Sequence, residues 1–105
     1  MAVYWLSFRI AEKKTEKGTD VDRRKALYDA IKKIQPNVWE VPTSFILFET
    51  AKDIDAIAAI CKNAVSPSED SVILRKIDGG NVRFIGSKVD FDNLKKIHPN
   101  SNHCV

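Results

Sequence analysis

The residues best suited to chemistry in this chain are cationic. Lys13, Lys14 and Lys17 fall within one charged stretch, AEKKTEKGTD, and Arg23, Arg24 and Lys25 follow directly after it. Basic side chains at this density suit contacts to phosphates, which are salt-sensitive and independent of sequence. Arg9 stands apart, at the end of VYWLSFRI, where its planar fork would suit a phosphate or a carboxylate such as Glu40 or Glu49. The candidate nucleic-acid-binding set is therefore Arg9, Lys13, Lys14, Lys17, Arg23 and Arg24. Glu12, Glu16 and Asp22 interrupt the cluster, so an ordinary solvated surface is the competing reading. Arg75, Lys76, Arg83 and Lys88 form a second, sparser set. The net charge of +3, from 17 basic and 14 acidic side chains, permits a DNA or RNA partner without requiring one.

Signals for other chemistries are weak. Cys61 falls in the apolar stripe of an expected helix and reads as a core thiol. His98, His103 and Cys104 lie close together in HPNSNHC, a spacing that would suit a transition metal, but the Pro, Asn and Ser around them read as a flexible tail over 98–105. His98 would move protons only if that tail folded back onto the domain. No serine or cysteine has a nucleophile setting beside a histidine, and Gly79-Gly80 lacks a phosphate-loop context. No cofactor, metal or catalytic residue is expected.

The elements that must position these side chains follow from hydropathy. The chain has 105 residues, 44% of them hydrophobic, enough for one domain with a modest core, here expected over 1–97. Val3 to Ile10 reads as a strand. Thr19 or Asp20 caps a helix in which Leu27, Ile31 and Ile34 share a face, and Pro36 closes it. The run VWEVPTSFILFET divides at Pro42, which has no amide proton for a central ladder, into a short strand (Asn37 to Val41) and a longer one (Ser44 to Glu49). Thr50 begins a capping-box pattern before a second helix carrying Ile54, Ile57, Cys61 and Val65. Ser71 to Ile77 is a strand, Asp78 to Gly80 a turn, Asn81 to Gly86 a shorter partner strand, and Asp90 to Ile97 one or two helical turns. This order gives an α+β domain, a ferredoxin-like βαββαβ sandwich plus an extra C-terminal strand.

Both faces of that sheet need cover. Tyr4, Leu6, Phe8 and Ile10 share one face of the first strand and Val3, Trp5, Ser7 and Arg9 the other, while Phe45 and Leu47 oppose Ile46 and Phe48. Two helices belong on one face. The other is expected to meet a second copy, with Val3, Trp5, Ser7, Ile46 and Phe48 at a homodimer interface. The competing reading shields Trp5 with C-terminal elements of its own chain. A further alternative has Asn81 to Gly86 extend the partner's sheet by strand addition.

VYWLSFRI, VWEVPTSFILFET and DSVILRKIDGG together resemble the small CRISPR-adaptation subunits, their SinR-like relatives and the VapD ribonucleases. The resemblance covers residues 2–86 and rests on element order, the tight second-to-third strand junction and aromatic strand ends. It implies a homodimer of ferredoxin-like domains in which an aspartate at the end of the first strand helps hold a divalent metal for phosphodiester cleavage. Arg9 stands where that aspartate is expected. A guanidinium offers a hard cation no acceptor, so metal-assisted hydrolysis is not expected there.

Three functional readings follow. The leading one is a non-catalytic homodimeric scaffold or nucleic-acid-associated protein like the CRISPR-adaptation subunit. The alternatives are a toxin-type endoribonuclease and a regulatory domain that binds a small ligand. Met1 to Ile10 lacks the features of a secretory signal and no stretch is long enough to span a bilayer, so a cytoplasmic location with no membrane partner is expected.

Overall fold

The computed structural model describes residues 1–77, 82–85 and 90–104, with the side chains of 82–85 and Cys104 outside the description. It is a mixed α+β fold. A four-stranded antiparallel sheet has the order β2-β3-β1-β4, built from β1 (Ala2–Arg9), β2 (Val38–Trp39), β3 (Phe45–Thr50) and β4 (Ser71–Ile77). Helices α1 (Asp20–Ile34) and α2 (Ile54–Ala64) connect β1 to β2 and β3 to β4. Among the described residues no helix is long and apolar enough to cross a membrane.

Local chemistry sets the helix ends. Thr19 caps α1 in a full capping box: its hydroxyl accepts from the Asp22 amide at 3.1 Å, and the Asp22 carboxylate accepts from the Thr19 amide at 3.0 Å. Those two contacts from Thr19 hold the Asp22 carboxyl below its ordinary range. The α2 cap is Asp53, whose side chain accepts from the Ala56 amide at 2.8 Å, and not Thr50 as the capping-box pattern suggested. Thr50 is the last residue of β3, and its hydroxyl accepts from the Lys52 amide. Between β2 and β3 the chain turns through Ser44 at φ 62°, and the Ser44 carbonyl accepts from the Phe8 amide at 3.1 Å.

The first core lies between the sheet and α1 and α2. It contains Tyr4, Leu6, Phe8 and Ile10 of β1, Ile46 and Phe48 of β3, Leu27 and Ile31 of α1, and Ile57 and Cys61 of α2. Pairing of Tyr4 with Phe48 and Leu6 with Ile46 forces these residues onto one face. Ile46 and Phe48 are fully buried there, on the opposite face from Val3, Trp5 and Ser7, so the expected interface set divides between two sides of the sheet.

The second face carries a smaller core of Trp39, Leu47, Leu94 and Ile97, with Val3, Trp5, Phe45, Ile77 and Phe91 packed against it. Leu94 and Ile97 belong to α3 (Phe91–Ile97), which lies over β2 and β3. The chain's own C-terminal helix therefore supplies part of the cover that a second copy was expected to give.

The C-terminal strands also pair differently from expectation. β5 (Val82–Ile85) does not form a hairpin with β4. It pairs in parallel with β6 (Ser101–Cys104), so that Val82 faces Ser101 and Ile85 faces Cys104. Parallel strands need a crossover, and α3 provides it. Within residues 98–105, expected as a flexible tail, lie this strand and two buried residues, His98 and Ser101. The Asp78-Gly79-Gly80 turn lies outside the described residues.

Candidate nucleic-acid interface

The expected basic cluster separates into side chains used by the fold and side chains left in solvent. Arg23 occupies the turn of α1 just before Leu27 and Ile31, so the helix period that buries those residues buries it too. Its side chain is fully enclosed. Nε donates to Asp70 Oδ2 at 2.8 Å and Nη2 to Asp70 Oδ1 at 3.1 Å. The remaining donors reach the carbonyls of Lys13, Gly18 and Ala11 at 2.7–2.9 Å. Arg23 therefore has no role in phosphate binding.

Asp70 is equally committed. Its carboxylate also accepts from the Ala11 amide at 3.0 Å and the Ser66 amide at 2.9 Å. Burial pushes this carboxyl up, but the Arg23 guanidinium and the two amides outweigh it and hold the group below the usual carboxylate range.

Lys17 is used as well. Its ammonium donates to the carbonyls of Lys62, Asn63 and Val65, the last at 2.6 Å, and so satisfies the end of α2. Lys13 pairs with Glu69 at 3.0 Å, an exposed contact of little energetic weight. Lys14 is exposed and Arg24 half-buried. The charged stretch after β1 is chiefly a staple that ties 11–19 to 62–70, reinforced by the 2.6 Å contact between the Thr15 and Ser66 hydroxyls.

Arg9 is placed differently. It ends β1, is exposed, and makes no ion pair among the described residues. Neither carboxylate suggested for it is its partner. Glu40 holds Lys32 at 2.9 Å, and Glu49 pairs across the sheet with Val3, at the far end of β1.

The β1–β4 register places the neighbours of Arg9 on the same face: Arg9 opposes Ser71, Ser7 opposes Ile73 and Trp5 opposes Arg75. Ser71, Ile73 and Arg75 are exposed, Ile73 at 61%, while Trp5 and Ser7 are half-buried. The Trp5 ring stacks on Phe45, with centroids 6.2 Å apart and planes 20° from parallel. Over β2 and β3 the second sheet face is closed by α3, and Val3, Trp5 and Ile77 pack against that layer, while Arg9, Ser71, Ile73 and Arg75 of β1 and β4 are exposed.

Reading the sequence alone missed this surface because Arg9 and Arg75 are 66 positions apart and meet only through strand pairing. The usable signal was the alternation in SVILRKI, which puts Ser71, Ile73, Arg75 and Ile77 on one side. The side chain of Arg83 and all of Lys88 lie outside the described residues.

His98 is buried, and its Nδ1 has no hydrogen-bond partner among the described residues. Among those residues no three His, Cys, Asp or Glu side chains converge to hold a metal ion. Comparison with known proteins finds no family model that matches the chain and no significantly similar curated protein.

Proposed function

We propose that the chain is a non-catalytic, homodimeric, nucleic-acid-associated module of the CRISPR-adaptation-subunit kind, built on a ferredoxin-like domain and acting in the cytoplasm. The strand order β2-β3-β1-β4 with helices after β1 and β3 supports the domain reading. The observation that carries the function is the edge of the sheet beside Arg9. β4 has seven residues and pairs only with β1 among the described residues, and an edge strand of that length is one to which another strand can add. A second copy adding there would extend the sheet and bring two sets of exposed arginines together.

Arg9 at the end of β1 supports a role without metal-assisted cleavage, since it adds positive charge where a metal would need oxygen ligands. In the toxin-type ribonuclease reading, burial of His98 counts against its imidazole as the group that acts on a ribose hydroxyl.

Sedimentation at micromolar concentration, with oligonucleotide anisotropy across a salt series and a denaturing gel of the same samples, tests the proposal. A dimer that binds in a salt-dependent way and leaves the strands intact is expected. A monomer, no binding at low salt, or strand cleavage overturns it.

One observation favours the small-ligand reading. A groove of about 380 Å³ between α2 and β4 is lined by Ala58, Cys61, Lys62, Val65, Val72 and Leu74, within the size range of ligand sites. Thermal shifts in a metabolite screen would support it.

A further inference from the structure

We propose that the exposed strip of this sheet face formed by Arg9, Ser71, Ile73 and Arg75 binds a single-stranded nucleic acid through two phosphate contacts and an apolar contact between them. This deepens the nucleic-acid reading given above and rests on it. It moves the contact from the loop after β1, whose cations are largely used by the fold, to the sheet.

Charge selects the occupant. Arg9 and Arg75 lie about 14 Å apart, from strand rise and spacing. Among the described strand residues of this face the carboxylate is Glu49, opposite Val3, about 20 Å along β1 from Arg9 and about 12 Å from Arg75 by the same spacings. A second copy packed face to face would set arginines against arginines across a closing seam, an arrangement that disfavours that partner. A polyanion meets no such penalty.

The apolar surface selects the form of the polyanion. Ile73 is 61% exposed between the two arginines, and the register sets it diagonally across from Trp5, whose ring stacks on Phe45. A duplex offers phosphates to such a surface but keeps its base faces stacked inside. A single strand can lay a base on Ile73 and Trp5 while its phosphates meet the two guanidinium groups.

The test is anisotropy of a labelled oligothymidylate and of a duplex of equal length, on the full chain, over a series of salt concentrations. Four proteins are compared: the parent, Arg9→Gln/Arg75→Gln, Ile73→Ser, and the loop variant Lys14→Gln/Arg24→Gln. All four substituted cations and Ile73 lie at the surface or partly so, and matching thermal melts would confirm retained folds.

The expected result is preference for the single strand and at least a tenfold loss of affinity in Arg9→Gln/Arg75→Gln. The slope of log K against log salt should fall by about 1.4, the value for two lost single-strand phosphate contacts. Ile73→Ser should lower affinity several-fold with the slope unchanged, and the loop variant should bind like the parent. If the loop variant loses binding while Arg9→Gln/Arg75→Gln retains it, or if the duplex is preferred, the sheet proposal fails and the general nucleic-acid reading stands. Absence of binding to both oligonucleotides overturns both. A change of association state without a change in oligonucleotide affinity would make this face an interface between copies and overturn the proposal.

Discussion

Arg23 and Asp70 meet as a fully enclosed, two-bond ion pair, Nε to Oδ2 at 2.8 Å and Nη2 to Oδ1 at 3.1 Å. Removing one partner leaves the other's charge buried and several amides or carbonyls without their contact, which is the costly way to break such a pair. Asp70→Asn should therefore lower the thermal midpoint by roughly 10–20 °C. Differential scanning calorimetry checks this, and a change under 3 °C, roughly the effect of an ordinary surface substitution, would show that the network adds little.

The same pair predicts acid sensitivity. The Asp70 carboxyl is lowered in the folded state, so its contribution is complete above the ordinary value of 3.8 and is lost as pH falls through the folded value. Stability measured by urea melts should be flat in this respect above about pH 5 and fall below pH 4. In Asp70→Asn the acid slope should be shallower than in the parent.

Lys17 holds the last carbonyls of α2, so Lys17→Met should fray that helix end rather than weaken nucleic-acid binding. A midpoint lower by about 5 °C is expected from loss of charge-assisted hydrogen bonds. Faster amide exchange confined to the last turn of α2, with unchanged oligonucleotide affinity, separates this role from phosphate contact.

Cys61 is buried in the helix-side core, and burial pushes its thiol up to about 11. A thiolate is scarce there at neutral pH. Alkylation at Cys61, followed by peptide mass spectrometry in a Cys104→Ser background, should be negligible in the folded protein and complete in denaturant. Rapid labelling of the folded form would show that the groove beside Cys61 opens readily.

Leu94 is 1% exposed and anchors α3 on the second face with Trp39 and Leu47. Leu94→Ala should cost about 2–4 kcal/mol in chemical denaturation. Tryptophan emission should shift to the red, because both tryptophans, Trp5 and Trp39, belong to this layer. Unchanged stability and emission would mean that α3 contributes little to covering the sheet.

Much of the fold was legible in local pattern. Runs of aromatic and branched residues located β1 and β3, period 3.6 located α1 and α2, and Pro42 marked the junction between β2 and β3. Thr19 was legible as a cap because its geometry involves only the next three residues. Thr50 misled because its motif competes with the strand that ends there, and Asp53 does the capping instead.

The sequence by itself determined the order of the elements from β1 to α3, the two apolar faces of the central strands and the concentration of basic residues after β1. It could not say which cations remain available, because that depends on partners far along the chain. Arg23 is neutralised by Asp70, 47 positions away, and Lys17 is held by hydrogen bonds to carbonyls 45 to 48 positions away. Nor could it say what covers the second face, since the short helix that does so docks through Leu94 and Ile97 onto Trp39 and Leu47, a match of shape rather than of period. Tertiary structure decided both: burial removed part of the basic cluster, α3 covered β2 and β3, and antiparallel register left Arg9 and Arg75 exposed on the same face.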